Sequence, residues 1–102
     1  MHMQQSPKDA ILSTLASIPP GKVSSYGEVA KRAGYPGMAR YVAMILKQLP
    51  EDSSIPWHRV VNHKRQSSFT KDGHMYHEQI SLLKKEGISF SRNGTILKQY
   101  IW

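Results

Sequence analysis

With 102 residues, 39% of them hydrophobic, the chain holds enough material for one core and no second, so a single domain over residues 1–102 is expected. Fourteen Lys and Arg against seven Asp and Glu give a formal charge of +7, the footprint either of a nucleic-acid binder or of a basic surface that only maintains solubility. The absence of cysteine excludes a disulfide framework, Cys-ligated zinc and thiol catalysis together, and no run reaches the roughly 20 apolar residues of a membrane span. Residues 1–5 are too polar for a signal peptide, so a soluble, reducing compartment is expected, most simply the cytoplasm.

Ser6-Pro7-Lys8-Asp9 reads as an N-cap, a proline at the first helical position and an acid in the first turn, with Ile11, Leu12, Leu15 and Ile18 following at helical spacing. A helix over 7–18 is predicted, ended by Pro19-Pro20-Gly21. Ser24 or Ser25 can cap a short second helix over 26–33, stopped by Gly34. After the turn Tyr35-Pro36-Gly37, the residues Met38, Val42, Ile45, Leu46 and Leu49 mark the apolar face of a third helix. Two short helices about a tight Gly/Pro turn make a helix-turn-helix candidate.

Residues 50–56 read as a loop delivering the Trp57 segment, Val60-Val61 as a short buried extended stretch, and 62–71 as an exposed loop or wing. Asp72-Gly73 can open a fourth helix with Tyr76, Ile80 and Leu83 on one face and Gly87 just past its end. Residues 88–92 and 95–98 about Asn93-Gly94 carry a hairpin signal, since Asn-Gly suits a type I′ turn. The fold class expected is α+β: a mostly helical, winged helix-turn-helix-like domain with short strands and a C-terminal hairpin.

The segment Pro56-Trp57-His58-Arg59-Val60 resembles the Pro-Cys-His-Arg-Val active-site segment of the O6-alkylguanine-DNA alkyltransferases, with Trp57 in the place of the cysteine. Further matches run in the same order: Ile18-Pro19-Pro20-Gly21-Lys22-Val23, Ser25-Tyr26-Gly27, Ala39-Arg40 and Leu82-Leu83-Lys84-Lys85-Glu86-Gly87, so the resemblance covers about residues 11–87. It implies that family's DNA-binding and active-site domain, and within the family the alkyltransferase-like branch, which binds O6-alkylated guanine without removing the alkyl group and is linked to nucleotide excision repair. Chemistry agrees independently. Alkyl transfer is a displacement at carbon that needs a soft, ionisable acceptor, and an indole offers one N–H donor and no free lone pair. What Trp57 brings is area for stacking.

The resemblance implies a role for each matching residue. Arg40 corresponds to the arginine that fills the gap left by a flipped nucleotide, a role suited to a planar guanidinium. Tyr26 corresponds to the tyrosine that crowds the rotating phosphate and lines the pocket, and the backbone amides of Tyr26 and Ala39 at helix starts suit phosphate. His58 and Glu86 correspond to the pair that ionises the cysteine. With no thiol to activate, their remaining work is to hold the Trp57 loop, while Arg59 ties loops together. Arg65 or Lys71 reaches the base from the loop after Trp57, and Lys31, Arg32, Lys47 and Lys64 join them in neutralising phosphates. His74 and His77 lack a third ligand, so no metal and no cofactor are expected.

Three departures from the family pattern stand out. Leu49 replaces an asparagine that braces the turn before the active-site loop, Ala43 replaces a glycine on the recognition helix, and residues 63–69 replace a Gly-rich stretch, so adduct size preference does not carry over. The expected function is a non-enzymatic monomer that flips O6-alkylguanine out of double-stranded DNA against Trp57 and signals to nucleotide excision repair proteins. Two rivals stand beside it: a transcriptional regulator using the helix-turn-helix for sequence reading, and a lesion hydrolase using His58 and Glu86.

Overall fold

Ser6 starts the first helix as its cap: its Oγ accepts from the Asp9 amide at 3.1 Å, and Pro7 occupies a position whose N–H would go unused. Helix α1 (Pro7–Ala16) ends two residues earlier than the periodicity predicts, while Ile18 stays buried beyond it. The computed structural model describes residues 5–102, so residues 1–4, most of the polar stretch weighed as a leader, lie outside the described residues.

The second capping signal resolves onto Ser25, whose Oγ accepts from the Glu28 amide at 3.1 Å and opens α2 (Tyr26–Arg32). Gly34, at φ +92°, takes the left-handed turn that closes α2, a conformation open to glycine at little cost. Helix α3 (Ala39–Lys47) follows and packs against α2, with Val42 and Ile45 buried between them and the rest of the core. The helix-turn-helix read from sequence is therefore present.

Strand pairing was invisible to local reading. Ser24–Ser25, read only as caps, form β1 and pair in parallel with β2 (Val60–Val61), Ser24 opposite Val60 and Ser25 opposite Val61. Parallel neighbours require a long crossover, and α2, α3 and the loop after them supply it. Because side chains alternate across a strand, Val60 and Val61 serve different cores. Val60 joins Ile11, Leu15, Ile18, Val29, Ala30, Val42 and Ile45, whereas Val61 joins Val23, Leu83, Ile88 and Ile96. Helix α4 (His74–Lys85) closes the second cluster and buries Gln79 with Leu83, rather than the Tyr76, Ile80, Leu83 stripe predicted.

The C-terminal hairpin shrinks to one antiparallel bridge, Phe90 with Ile96. Its turn is not type I′, which needs positive φ at both central residues: among the described residues only Arg65 combines a side chain with positive φ, so Asn93 does not qualify. Instead the Gly94 amide closes on the Ser91 carbonyl at 3.0 Å, with Gly94 alone left-handed at φ +84°. Residues 62–71 form a loop without strand pairing, anchored by mutual bonds between Arg65 and Ile96: the Ile96 amide donates to the Arg65 carbonyl at 2.8 Å and Arg65 Nε donates to the Ile96 carbonyl at 2.9 Å. Beyond a short 3-10 turn (Lys98–Tyr100), the chain end runs beside Val23 on the edge of β1 opposite β2, through Val23 N to Tyr100 O and Trp102 N to Val23 O, each 2.9 Å. Trp102 packs on the first cluster and Tyr100 on the second, so the C-terminal segment is part of the core assembly. Ile96→Ala is accordingly expected to lower the unfolding free energy by about 2–5 kcal/mol in urea titrations, the usual range for truncating a fully buried isoleucine. Leu97→Ala, at a 40% exposed neighbour, should change it by less than about 0.5 kcal/mol.

Candidate nucleic-acid interface

Pro56 sets the direction of the site. With φ −78° and ψ 69° it lies in an inverse γ-turn, closed by the Trp57 amide on the Ile55 carbonyl at 2.8 Å, and the proline ring holds φ there. The turn feeds a single 3-10 turn, Trp57–Arg59, so Trp57, His58 and Arg59 fan out from consecutive positions before β2 begins. Leu49, standing where the family has its bracing asparagine, brings no polar group; the loop before Trp57 is held by its own bonds, Ser53 N to Pro50 O at 3.0 Å and Ile55 N to Ser53 Oγ at 3.2 Å.

Glu86, the C-cap of α4, gathers the surrounding segments. Its Oε1 accepts from the Gly21 amide at 2.9 Å and from Arg59 Nε at 3.0 Å. Its Oε2 lies 2.7 Å from His58 Nε2 and accepts from an Arg59 terminal nitrogen at 2.8 Å. The other end of the Arg59 fork donates to the Ile18 carbonyl at 2.8 Å. His58, Arg59 and Glu86 are thus brought together, and the loop after α1, the Trp57 turn and the end of α4 meet on one carboxylate. Burial raises the Glu86 pKa, but hydrogen bonds from Arg59, the Gly21 amide and His58, together with the His58 charge, outweigh it and hold the group at about 2 instead of 4.5.

Trp57 is half-buried. Its ring meets Phe69 edge to face at 6.0 Å and His58 at 6.1 Å. Tyr26, at the start of α2, packs its ring against the first core cluster and hydrogen-bonds Ser68 through its hydroxyl at 2.6 Å. The altered loop therefore touches both aromatic residues: Ser68 on Tyr26 and Phe69 on Trp57. Neither contact was predicted, and no local signal marks them, because each joins residues far apart in the chain.

Arg40 is exposed in the first turn of α3, and that helix has no side-chain cap, so the amides at its start, Ala39 included, are not taken up by a cap. Lys31, Lys47, Lys64 and Lys71 are exposed. Two predicted basic residues are engaged within the fold: Arg65 through Ile96, and Arg32, which lies 3.9 Å over the Trp102 ring and donates to the Trp102 carbonyl. His74 lies near Glu78, at 3.3 Å. Gln79, buried on α4, donates to the carbonyls of His58 and Val60 and was missed. The available hint was its spacing of four residues from Leu83, which puts both on one helix face.

Residues 6–88 match the family model of the 6-O-methylguanine DNA methyltransferase DNA-binding domain. The chain is 46% identical over 93 residues to the DNA base-flipping protein of Vibrio parahaemolyticus, a match covering 90% of this chain and 91% of that protein. It is 42% identical over 103 residues to the DNA base-flipping protein of Escherichia coli, covering 100% of this chain and 78% of that one. Among solved structures it is similar to Schizosaccharomyces pombe Atl1 in complex with damaged DNA containing O6-carboxymethylguanine, with a TM-score of 0.80, 32% identity and 98% of each chain covered.

The depressed Glu86 pKa carries a pH dependence with a defined sign. A carboxyl that holds its proton less tightly in the folded state stabilises folding above its unfolded pKa of about 4.5, and that contribution fades as pH falls towards about 2. The stabilisation is fully present at pH 7 and is lost progressively as pH falls from about 4.5 towards about 2. In Glu86→Gln, urea unfolding should show lower stability at pH 7 and a smaller loss between pH 7 and pH 3 than in the wild type.

Proposed function

The chain belongs to the 6-O-methylguanine DNA methyltransferase family through that family's DNA-binding domain, and from this premise we propose that it is a non-enzymatic receptor for O6-alkylguanine in duplex DNA. The observation that carries the reading is Trp57. An indole stands where the transferases hold their acceptor sulfur, on a turn braced by Glu86, in a chain with no cysteine to take an alkyl group. The relatives support it, two being named DNA base-flipping proteins and a third being bound to O6-carboxymethylguanine DNA.

In this reading α3 lies along the DNA, its first amides and the surrounding lysines contact phosphates, and Arg40 enters the stack in place of the extruded guanine. Tyr26 and Trp57 receive the base, and of Arg65 and Lys71 in the following loop it is Lys71 whose side chain is exposed to approach it. Two open surface hollows lie elsewhere, one beside Thr14, Arg32 and Trp102 and one beside His77, Ile80 and Lys84. At the receiving position, Phe69 lies edge to face on Trp57 and Ser68 bonds the Tyr26 hydroxyl, so the loop borders the place where a base would enter. Selectivity follows from energy: opening a damaged pair costs less than opening an intact one, and each buried methylene of the adduct adds roughly 0.8 kcal/mol. The bound complex is the signal that nucleotide excision repair proteins read, from a soluble, cytoplasmic monomer.

The direct test titrates one duplex with and without O6-methylguanine, followed by mass analysis of the recovered DNA. Tighter binding to the modified duplex with the adduct intact is expected; equal affinity, or a shortened or missing adduct, would overturn the reading. Trp57→Ala should weaken binding to the modified duplex by about 1–3 kcal/mol, the range for losing an aromatic platform under a base. Arg40→Ala should reduce binding to the modified duplex more than to the plain one. An equal loss on both would reduce Arg40 to a phosphate contact, and no loss on either would remove it from the interface.

A further inference from the structure

Gln79 is one of two buried polar residues among the described ones, fully enclosed on α4 beside Leu83. Enclosing an amide is unfavourable unless its groups are bonded, and here only half of them are. The side-chain nitrogen donates to the His58 carbonyl at 3.1 Å and the Val60 carbonyl at 2.9 Å, while Oε1 has no partner. A methionine of similar volume would fill the same space without stranding an acceptor, so packing alone does not account for a glutamine here.

The two carbonyls it holds explain the choice. They flank Arg59, at the point where the chain leaves the 3-10 turn and becomes extended at Val60, with φ −110° and ψ 125°. Backbone oxygens buried at such a junction need donors, and a side chain from the helix alongside supplies them. Glu86 acts on the same turn differently, since it grips the side chains of His58 and Arg59 and, in the other direction, the Gly21 amide. Those bonds reach the turn through side-chain tips, one step removed from its main chain. Gln79 is the residue among those described that holds the main chain of this turn from outside its own segment through a side chain.

We propose that Gln79 is a positioning residue for lesion recognition: by clamping the carbonyls of His58 and Val60 it fixes the backbone from which Trp57 projects, and so sets the indole at the height and angle the extruded base meets. The proposal rests on the lesion-binding reading above. Plain-duplex binding through α3 and the surrounding lysines does not pass through this clamp.

Gln79→Met removes both donors and keeps the volume. It is expected to bind plain duplex as the wild type does, while its preference for the duplex carrying O6-methylguanine falls about tenfold, the factor that a net hydrogen bond or so is worth. In a Trp102→Phe background, which leaves Trp57 as the sole tryptophan, its emission should shift to the red as the indole gains freedom and water. Gln79→Lys provides the discriminating comparison, because its side-chain nitrogen has donors for both carbonyls whether it is an ammonium or, as burial favours, a neutral amine. It should restore the preference and the emission. A wild-type preference in folded Gln79→Met, or a lost preference in folded Gln79→Lys, would overturn the proposal. Failure of both variants to fold would assign Gln79 to fold maintenance alone and overturn it as well. If the wild type shows no preference between the duplexes, the lesion reading fails by itself, and the Trp57 emission of the two variants still decides whether Gln79 positions the indole.

Discussion

The structure depends on the Glu86 carboxylate. A single charged group at the end of α4 accepts hydrogen bonds from the loop after α1, through Gly21, and from both His58 and Arg59 on the Trp57 turn. A carboxylate in that setting is expensive to enclose, and what offsets the expense is that its lone pairs are met by charged or strongly polar donors in good geometry. Arg59 extends the junction by donating onward to the Ile18 carbonyl. The loop after α1, the Trp57 turn and the end of α4 are thereby held in one arrangement, and the indole stands on that turn.

In the transferases that this chain resembles, a carboxylate and a histidine at these positions prepare a sulfur for attack. Here the same pair braces a residue that cannot attack anything. The pair has a structural role in the fold, since a depressed carboxyl pKa means the ionised group contributes to stability where it is bonded. Removing Glu86 would leave the His58 ring nitrogen, the Gly21 amide and part of the Arg59 fork without this acceptor. In this chain the arrangement joins three segments.

The loop of residues 62–71 shows how a local change redirects a site. Where the family pattern is Gly-rich, this chain places Arg65 in the left-handed region at φ +61°, a conformation that costs a non-glycine residue about 1 kcal/mol, and steadies it through mutual bonds with Ile96. The same loop then lays Phe69 against Trp57 and Ser68 against Tyr26. In the proposed reading, the surface that receives a base is therefore shaped in part by this loop, through Phe69 and Ser68.

Local physical chemistry was sufficient for the helices, because each is written in contiguous residues: Ser6 and Ser25 as caps, Pro7 at a helix start, Gly34 at a stop, and apolar positions at helical spacing. The Trp57 segment and its loss of a nucleophile were equally legible, since they follow from residue identity. Pairings between distant segments were not: the parallel bridge of Ser24 with Val60, the seating of Trp102 beside Val23, Gln79 beneath the Trp57 turn, and Ser68 on Tyr26. Ser24 and Ser25 bear no β-branched or aromatic signal, and the hairpin signal of Asn93-Gly94 is met by a single bridge, Phe90 with Ile96, about a turn of another type. A residue's own preferences decide its backbone where neighbours along the chain complete its hydrogen bonds. Where the bonding partner lies tens of residues away, only the closed fold decides.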